Sequence, residues 1–298
     1  MHDHHDETHI GRNLGISSIL NFAISIVEII GGIISGSLAL FSDAIHNLGD
    51  SASVLIAYIA NRIGKKPSTP KRTFGYKRIE ILTALFNAVF IIAITIYLFF
   101  EAYKRFQSPA EIQGKTMFIV ATIGLLANVI SVLLLHRNSR HNLNVKAAYL
   151  HLIGDTLSSI VVIGGGIVIY FYEVYWLDPV ITIFIGIYII KEAYQILKET
   201  IHILMQSTPY YLDLHEVKQE LESIPSVYNI HHVHAWNLTD QQTHFECHIE
   251  LCKDYHISEI STIEEKIKDI LHNTYNIDHT TLQFEYNACG DKELIKNK

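Results

Sequence analysis

Six segments of the chain are long and apolar enough to cross a lipid bilayer, and they constrain the fold more than any other feature of the sequence. A helix that spans the hydrocarbon core of ~30 Å needs about 20 mostly apolar residues, because each residue advances the helix by ~1.5 Å. The segments that meet this requirement are 14–35, 38–60, 81–101, 116–135, 147–171 and 178–198. Composition agrees, since 18% of the 298 residues are charged, whereas a soluble globular chain has about 25%.

The sequence changes character after residue 206, where charged residues become more frequent and the apolar runs shorten. Segment 211–223 has its apolar residues at helical spacing, and 227–236 and 243–251 alternate as strands do. An amphipathic helix follows at 257–274, and TTLQFEY is a third strand. The predicted fold class is therefore an α-helical membrane protein with six transmembrane helices and a small α/β domain, ordered helix–strand–strand–helix–strand.

Lysine and arginine in the short loops predict the orientation of the helices, because cytoplasmic loops carry an excess of them. The loops after the second and fourth segments are basic; their residues are Arg62, Lys65, Lys66, Lys71, Arg72, Lys77, Arg78, Arg137, Arg140 and Lys146. The link FYEVYWLD is acidic and aromatic instead. Both termini are therefore expected in the cytoplasm. The predicted domains are a His-rich cytoplasmic tail at 1–13, a six-helix transmembrane domain at 14–205 and a cytoplasmic α/β domain at 206–298.

Two of the spanning segments each carry a histidine and an aspartate four residues apart. His46 and Asp50 lie in FSDAIHNLGD, and His151 and Asp155 lie in YLHLIGDTLSS. Residues at i and i+4 share one helix face, so two such helices packed face to face offer two nitrogens and two oxygens. Zn²⁺ accepts such a tetrahedral set. Ionisable groups in a bilayer are expensive and normally mark a transport or relay path.

Three other interpretations of these pairs remain open from the residues alone. Each pair could be a satisfied intramembrane hydrogen bond without a metal. An intramembrane zinc hydrolase also needs histidine and aspartate ligands, but it usually keeps an open metal position and a general base, and no HExxH is present. A membrane-anchored metal sensor would use the helices only as an anchor, and an anchor has no need of the two pairs.

Further polar residues lie within the spanning segments. Asp43 lies about one helical turn from His46. It either lines the outer mouth of a transport path or faces the membrane interface. Asn21, Glu28, Asn87 and Asn128 are expected to form hydrogen bonds between helices, and a part in proton movement is the alternative for Glu28.

The motifs around these residues resemble those of the cation diffusion facilitator family, in its zinc-transporting branch. The resemblance covers nearly the whole chain and rests on SLALFSDAIHNLGDS, KRTFGYKRIEILTALFNA, AAYLHLIGDTLSS and VHAWNL. It implies a homodimer that exchanges Zn²⁺ for protons by alternating access. The transport-site positions of the family fall on His46, Asp50, His151 and Asp155. The loop HRNSRHN is far shorter than the His-rich loop of many eukaryotic members of the family. This favours a bacterial protein of the cytoplasmic (inner) membrane.

A second group of candidate ligands lies in the α/β domain. In the strand THFECHIEL, alternate residues share a face, so His244, Glu246, His248 and Glu250 are expected on an exposed face and Phe245, Cys247, Ile249 and Leu251 on the core face. A solvated polar face is the alternative interpretation. The family resemblance implies a zinc site at His231, His248 and Glu285. Gln283 stands where some bacterial members have another histidine, and His279 or Cys289 are the candidates to replace it.

Ligand chemistry limits which metal ions the histidine–aspartate pairs can bind, but it does not rank them. Imidazole and carboxylate ligands suit Zn²⁺, but Cd²⁺ and Co²⁺ accept the same atoms. Metal binding requires deprotonated ligands, and histidine changes its charge near physiological pH, so protons are the expected counter-ion. We therefore expect a metal transporter in membrane lipid rather than an enzyme. Zinc is the expected substrate and the expected regulatory ligand of the α/β domain, and no organic cofactor or nucleic acid is expected.

Overall fold

The computed structural model describes residues 3–136, 143–287 and 293–295, and the chain divides into two compact units. The first unit consists of Met1–Ala60 and Thr83–Leu197, and the second of Asn61–Leu82 and Lys198–Lys298. The stretch between the second and third helices therefore groups with the C-terminal α/β domain rather than with the helices that flank it.

The first unit is built from long helices. Their bounds are α1 Asp3–Ser35, α2 Leu38–Gly64, α3 Ile79–Gln107, α4 Gly114–His136, α5 Leu143–Tyr172 and α6 Leu177–Leu204. All six predicted segments thus form helices. The helix α1 begins at Asp3, so the described part of the predicted tail at 1–13 has a helical backbone.

Five helical segments among the described residues are long and apolar enough to cross a membrane. They are Gly15–Ser35, Ile79–Gln107, Gly114–His136, Tyr149–Tyr172 and Leu177–Leu204. The helix α2 is not among them, and it is the helix that carries Asp43, His46, Asn47 and Asp50. Large apolar side chains on the outside of the bundle are exposed, among them Phe86, Phe171 and Phe184. Such a surface is suited to lipid and would be a liability in water.

Small residues let the helices approach closely. A Cβ atom placed on Gly114 of α4 would lie 2.7 Å from the backbone nitrogen of Tyr170 in α5, and one placed on Gly166 of α5 would lie 3.1 Å from the nitrogen of Phe118. The backbones of α4 and α5 are therefore in near contact, as is usual for membrane helices with small residues at their interface.

The start of α2 is fixed by a carboxylate from α6. Asp178 accepts hydrogen bonds from the backbone nitrogens of Leu38 at 2.8 Å and Ala39 at 3.1 Å, and from the Ser37 hydroxyl at 2.5 Å. Asp178 is fully buried. The first amides of a helix have no partner within the helix, and a negative group there also interacts favourably with the helix dipole. This cap holds the first turn of α2 against α6.

The second unit contains a three-stranded sheet with two helices on one face. The order is α7 Leu214–Glu222, β1 Val227–Asn237, β2 Thr243–Leu251, α8 Ile257–Tyr275 and β3 His279–Glu285. This confirms the predicted helix–strand–strand–helix–strand order. β1 pairs antiparallel with β2, and β2 pairs parallel with β3. The core includes Val217, Leu221, Ile249, Ile267 and Leu271, so the domain has a hydrophobic core of its own.

The core face of β2 is confirmed. Phe245, Cys247, Ile249 and Leu251 are all buried in the core. Burial raises the pKa of the Cys247 thiol to about 12, so this cysteine is an inert core residue. Cys289 lies outside the described residues.

The opposite face of β2 is less exposed than its alternation predicts, because His244 and Glu250 are buried. The His244 ring stacks on Trp236 and meets the rings of His279 and Phe74. Phe74 belongs to the stretch 61–82, which covers this end of the sheet. Burial, with His279 and Lys77 nearby, lowers the pKa of His244, so its imidazole is neutral and packs as an aromatic ring.

Replacing Asp178 by alanine should destabilise the helical unit by about 1–3 kcal/mol, because it leaves buried amides of α2 without an acceptor. Thermal unfolding of the purified protein in detergent measures the effect. Glu173→Ala is the matched control, since Glu173 is an exposed acid shortly before α6. Equal melting temperatures for Asp178→Ala and the parent would contradict the role of the cap.

Candidate metal centres

The two histidine–aspartate pairs meet in the interior of the helical unit. The His46 Nε2 lies 3.5 Å from Asp155 Oδ1, and the His151 Nε2 lies 2.9 Å from Asp50 Oδ2. Each histidine is thus next to the aspartate of the other helix. This crossed arrangement arises because α2 and α5 run in opposite directions through the site. His46 therefore faces Asp155, and Asp50 faces His151.

The distances between these ligand atoms suit a tetrahedral metal ion. Within each helix the histidine nitrogen and aspartate oxygen are 3.6 Å apart for the pair on α2 and 3.7 Å apart for the pair on α5. One ligand atom from each of the four residues can be chosen so that all lie within 4.8 Å of one another. Metal–ligand bonds of about 2.1 Å in a tetrahedron place the ligands about 3.4 Å apart. The set therefore fits a zinc ion with little movement.

Unsatisfied polar atoms point to the same conclusion. His46 Nε2 and both carboxylate oxygens of Asp155 are buried without a hydrogen-bond partner within the described part of the chain. A buried ionised carboxylate without compensation is costly. The interpretation of these pairs as satisfied hydrogen bonds therefore fails for His46 and Asp155, whereas His151 and Asp50 do form a hydrogen bond.

The two halves of the site differ in exposure. The side chains of His46 and Asp155 are 4% and 0% exposed, whereas those of Asp50 and His151 are 30% and 32% exposed. The site is therefore closed on the His46 side and accessible on the Asp50 side, which lies toward the end of α2 and the beginning of α5.

The glycines beside the two aspartates face other helices. A Cβ atom on Gly49 would lie 2.8 Å from Ile91 Cδ1 of α3, and one on Gly154 would lie 3.1 Å from the Tyr188 hydroxyl of α6. Glycine at these positions lets α3 and α6 approach the two ligand-bearing helices closely.

Glu192 of α6 is a further acid at this site, and the sequence analysis missed it. Its Oε2 lies 3.7 Å from His46 Nε2, and its Oε1 accepts a hydrogen bond of 2.5 Å from the Tyr188 hydroxyl. The Tyr188 ring packs edge-on against the His46 ring. A charged residue within the segment 178–198 was the signal that could have found it.

The three predicted ligands of the α/β domain also come together, one from each strand. His248 Nδ1 lies 2.7 Å from Glu285 Oε1, and His231 Nε2 lies 3.5 Å from Glu285 Oε2. His231 and His248 are opposite each other in the register of β1 and β2. Asn229 Oδ1 lies 3.1 Å from His231 Nδ1, which orients the ring so that Nε2 faces the other ligands, as partners of metal-bound histidines do.

A β-bulge directly follows His231 in β1. The register between β1 and β2 shifts between His231 and His234, and His232 within the bulge has a φ of 51°. The core residue before the bulge is Ile230, and the next is Val233. An extra residue in one strand changes which side chains face the core. The alternation of β1 therefore restarts after His231.

The electrostatics of this second site favour metal binding at neutral pH. Burial lowers the pKa of His231, and the nearby Glu285 opposes this shift only in part. The imidazole is therefore neutral, the form that binds metal. Gln283 donates a hydrogen bond of 2.7 Å to Glu285. His279 lies against His244 instead, so it does not replace the missing histidine.

A helical membrane unit with a buried group of residues that could hold a divalent cation, followed by an α/β domain, is the architecture of a membrane transporter for metal cations. The transmembrane domain of the cation efflux family matches residues 14–205, and the cytoplasmic domain of cation efflux proteins matches residues 209–287. The chain belongs to the cation efflux family, which places it among transporters and not among enzymes.

Several bacterial proteins are similar over nearly the whole length of the chain. The metal cation efflux system protein CzcD of Cupriavidus metallidurans is 37% identical over 98% of this chain and 93% of that protein. The zinc transporter ZitB of Pectobacterium atrosepticum is 36% identical over 97% and 90%. A Bacillus subtilis protein named cadmium, cobalt and zinc/H(+)-K(+) antiporter is 36% identical over 99% and 95%.

Zinc bound by His231, His248 and Glu285 should stabilise the folded α/β domain. The segment 207–298 contains the whole core of the domain, and we expect it to melt at a higher temperature with added Zn²⁺, because a ligand that binds only the folded form stabilises it. Calorimetry with and without zinc measures the shift, and His248→Ala should remove most of it. His256→Ala is the matched control, since His256 precedes α8 away from the site. An unchanged melting temperature of the parent segment with zinc would remove this site.

Proposed function

We propose that this protein exports Zn²⁺ from the cytoplasm in exchange for protons, by alternating access to the site formed by His46, Asp50, His151 and Asp155. The observation that carries this proposal is the crossed pairing of these residues, with the polar atoms of His46 and Asp155 left unsatisfied. Two imidazoles and two carboxylates form a closed set for a tetrahedral cation. The names of the relatives support zinc as substrate, with cadmium and cobalt as further substrates.

The coupling to protons follows from the chemistry of the ligands. Zinc binds to neutral imidazole and ionised carboxylate, so each binding event displaces the protons that these groups hold. Protons that enter from a more acidic exterior compete for the same imidazoles and expel the metal. Because the metal-bound and the protonated site differ in charge distribution, they stabilise different arrangements of the bundle, and this difference is what drives the cycle.

The proposed topology has six spans and both termini in the cytoplasm. The helix α2 has 27 residues, about 40 Å at 1.5 Å per residue, which exceeds the ~30 Å of hydrocarbon. Its polar face lies inside the bundle, where His46 is buried, so its composition does not prevent it from spanning. In this orientation, the more exposed side chains of Asp50 and His151 lie toward the cytoplasm. Bacterial relatives support the inner membrane as the location.

The proposed domain boundaries are 1–13, 14–205 and 206–298, with the last domain serving regulation and dimerisation. We propose that His231, His248 and Glu285 bind zinc as a regulatory ligand. Because one ligand comes from each strand, zinc there fixes the three strands together. The match to the cytoplasmic domain of cation efflux proteins supports a homodimer. A sensor that used its helices only as an anchor would not need the membrane site.

Replacing either aspartate of the membrane site should abolish zinc flux. Asp50→Ala and Asp155→Ala each remove one of four ligands, and we expect at least a tenfold lower flux in proteoliposomes while the protein still inserts and dimerises. Glu101→Ala is the matched control, since Glu101 pairs with Arg105 on α3. Parent-like zinc flux in either aspartate variant would refute the transport site.

Metal preference should follow the ligand set. His46→Asp leaves one imidazole and three carboxylates, so Mn²⁺ and Cd²⁺ should gain relative to Zn²⁺, because harder or larger cations tolerate oxygen ligands better. Flux measured with each metal in turn gives the ranking. His136→Asp is the control, since His136 ends α4 outside the ligand set. If His46→Asp keeps the metal ranking of the parent, discrimination lies elsewhere in the path.

A further inference from the structure

A buried polar stripe runs through the helical unit beside the metal ligands. Its members on α1 and α2 lie three or four residues apart, so they share one face of each helix. They are Ser17, Asn21, Ser25 and Glu28 on α1, and Asp43, Asn47 and Ser51 on α2, and each is less than 10% exposed. The proposed mechanism uses none of them. In a membrane interior, buried ionisable residues are expensive and mark functional paths.

Glu28 is the centre of this polar stripe. Its side chain is completely buried, and Asn47 Nδ2 donates a hydrogen bond of 3.2 Å to its Oε2. The other carboxyl oxygen, Oε1, has no hydrogen-bond partner among the residues that the structure describes. It lies against Gly124 of α4, where a Cβ atom would overlap it. The bundle therefore encloses this carboxyl tightly, with one oxygen left unsatisfied.

The charges around Glu28 make its ionised form costly. The charged groups that act on it from neighbouring helices are Asp43 of α2 and Asp155 of α5, both acidic. From α4, the residue in contact with it is Gly124, which is not ionisable. A carboxylate buried among like charges is neutralised by a proton or by a bound cation. The close contact at Gly124 leaves the unsatisfied oxygen room for a proton but not for an alkali ion with its shell of oxygen ligands.

Asp43 is held differently, although it is also buried. It accepts hydrogen bonds from Ser158 and Ser159 of α5, and Asn128 of α4 donates to the Ser159 hydroxyl at 3.4 Å. The expectation that Asp43 faces the membrane interface is therefore wrong. His46 and Asp155 also act on it. Its two hydroxyl donors offset part of the cost of burying its charge, whereas Glu28 has one amide donor and an oxygen without a partner in the described part of the chain, so Glu28 is the carboxyl with the greater need of a proton.

The polar stripe connects Glu28 to both the metal site and one end of the helices. Asn47, which binds Glu28, is adjacent in sequence to His46. In the other direction, the stripe continues through Asn21 and Ser17 on α1 and through Ser51 on α2. The oxygen atoms Asn21 Oδ1, Ser17 Oγ and Ser51 Oγ are buried without partners in the described part of the chain. Hydroxyl groups of this kind, together with water held by the amide oxygen, can pass a proton along the stripe.

We propose that Glu28 is a proton-binding site of the transport cycle, separate from the metal ligands, and that it carries one proton per turnover. The proposal rests on the proposed zinc–proton exchange. Glu28 takes up the proton on its carboxyl oxygen in one orientation of the bundle and returns it to solvent in the other, as the polar stripe gains or loses access to water. The proton is thus moved in addition to those that compete with zinc for the imidazoles.

The test compares the parent protein with Glu28→Gln in proteoliposomes. Glutamine keeps the shape and the hydrogen bond to Asn47 but cannot release a proton. With the membrane potential held at zero, zinc accumulates until its gradient balances the pH gradient, so the slope of log zinc ratio against pH difference counts protons per metal. We expect the slope to fall by about one, which at one pH unit is about a tenfold lower zinc ratio. Zinc–zinc exchange without a pH gradient should persist.

Two further variants and a potassium gradient complete the test. Glu28→Asp, which keeps a carboxyl, should restore the parental slope, and Glu101→Gln is the matched carboxyl-to-amide control on α3. An unchanged slope in Glu28→Gln, or loss of its zinc–zinc exchange, would overturn the proposal. So would a potassium gradient that drives accumulation in the parent but not in Glu28→Gln, because the site would then bind K⁺. If the parent itself accumulates no zinc, the proposed function fails instead.

Discussion

The helical unit depends on how it accommodates ionisable residues away from water. His46 and Asp155 are almost completely buried, and their facing atoms have no hydrogen-bond partner among the described residues. Such a pair of groups is stable only if a cation or a proton compensates it. The same requirement suits a transport site, because either a divalent cation or protons can supply the compensating charge. Stability of the bundle and exchange of ions thus have one physical cause.

The rest of the helical unit positions the helix that carries half of this site. The residues of α2 that would make it a poor independent span are the candidate metal ligands, so its neighbours must hold it. Asp178 of α6 caps its first turn, Glu28 of α1 contacts it through Asn47, and Gly49 allows α3 to pack against it. Three helices therefore contact α2: α6 at its first turn, and α1 and α3 beside its candidate ligands.

In the α/β domain, a β-bulge allows the candidate ligands and the core residues of β1 to occupy opposite faces of the sheet. Successive residues of a strand normally point to opposite faces of the sheet. Regular alternation would therefore leave His231, His232 and His234 of β1 divided between two faces. The bulge at His232 and Val233 shifts this alternation after His231, which lies opposite His248, so that Val233 and Ala235 face the core as Ile230 does. If these three residues bind a metal ion, ligands from three strands would give it an influence on the whole sheet, whereas ligands within one strand would act only locally.

The sequence by itself determined the six helical segments, the order of elements in the α/β domain and the ligand residues of both candidate sites. These follow from periodicity, from the four-residue spacing of His46 and Asp50 and of His151 and Asp155, and from the resemblance to a family. Tertiary structure decided which groups surround them. Glu192 lies beside His46 although 146 positions separate them in the chain, Asp178 caps a helix from which it is 140 residues away, and Asp43 turns inward to two serines. The exposed face predicted for β2 is partly covered by the stretch 61–82. Spacing along one helix or strand fixes only which side chains share a face, and the packing of distant segments fixes what that face meets.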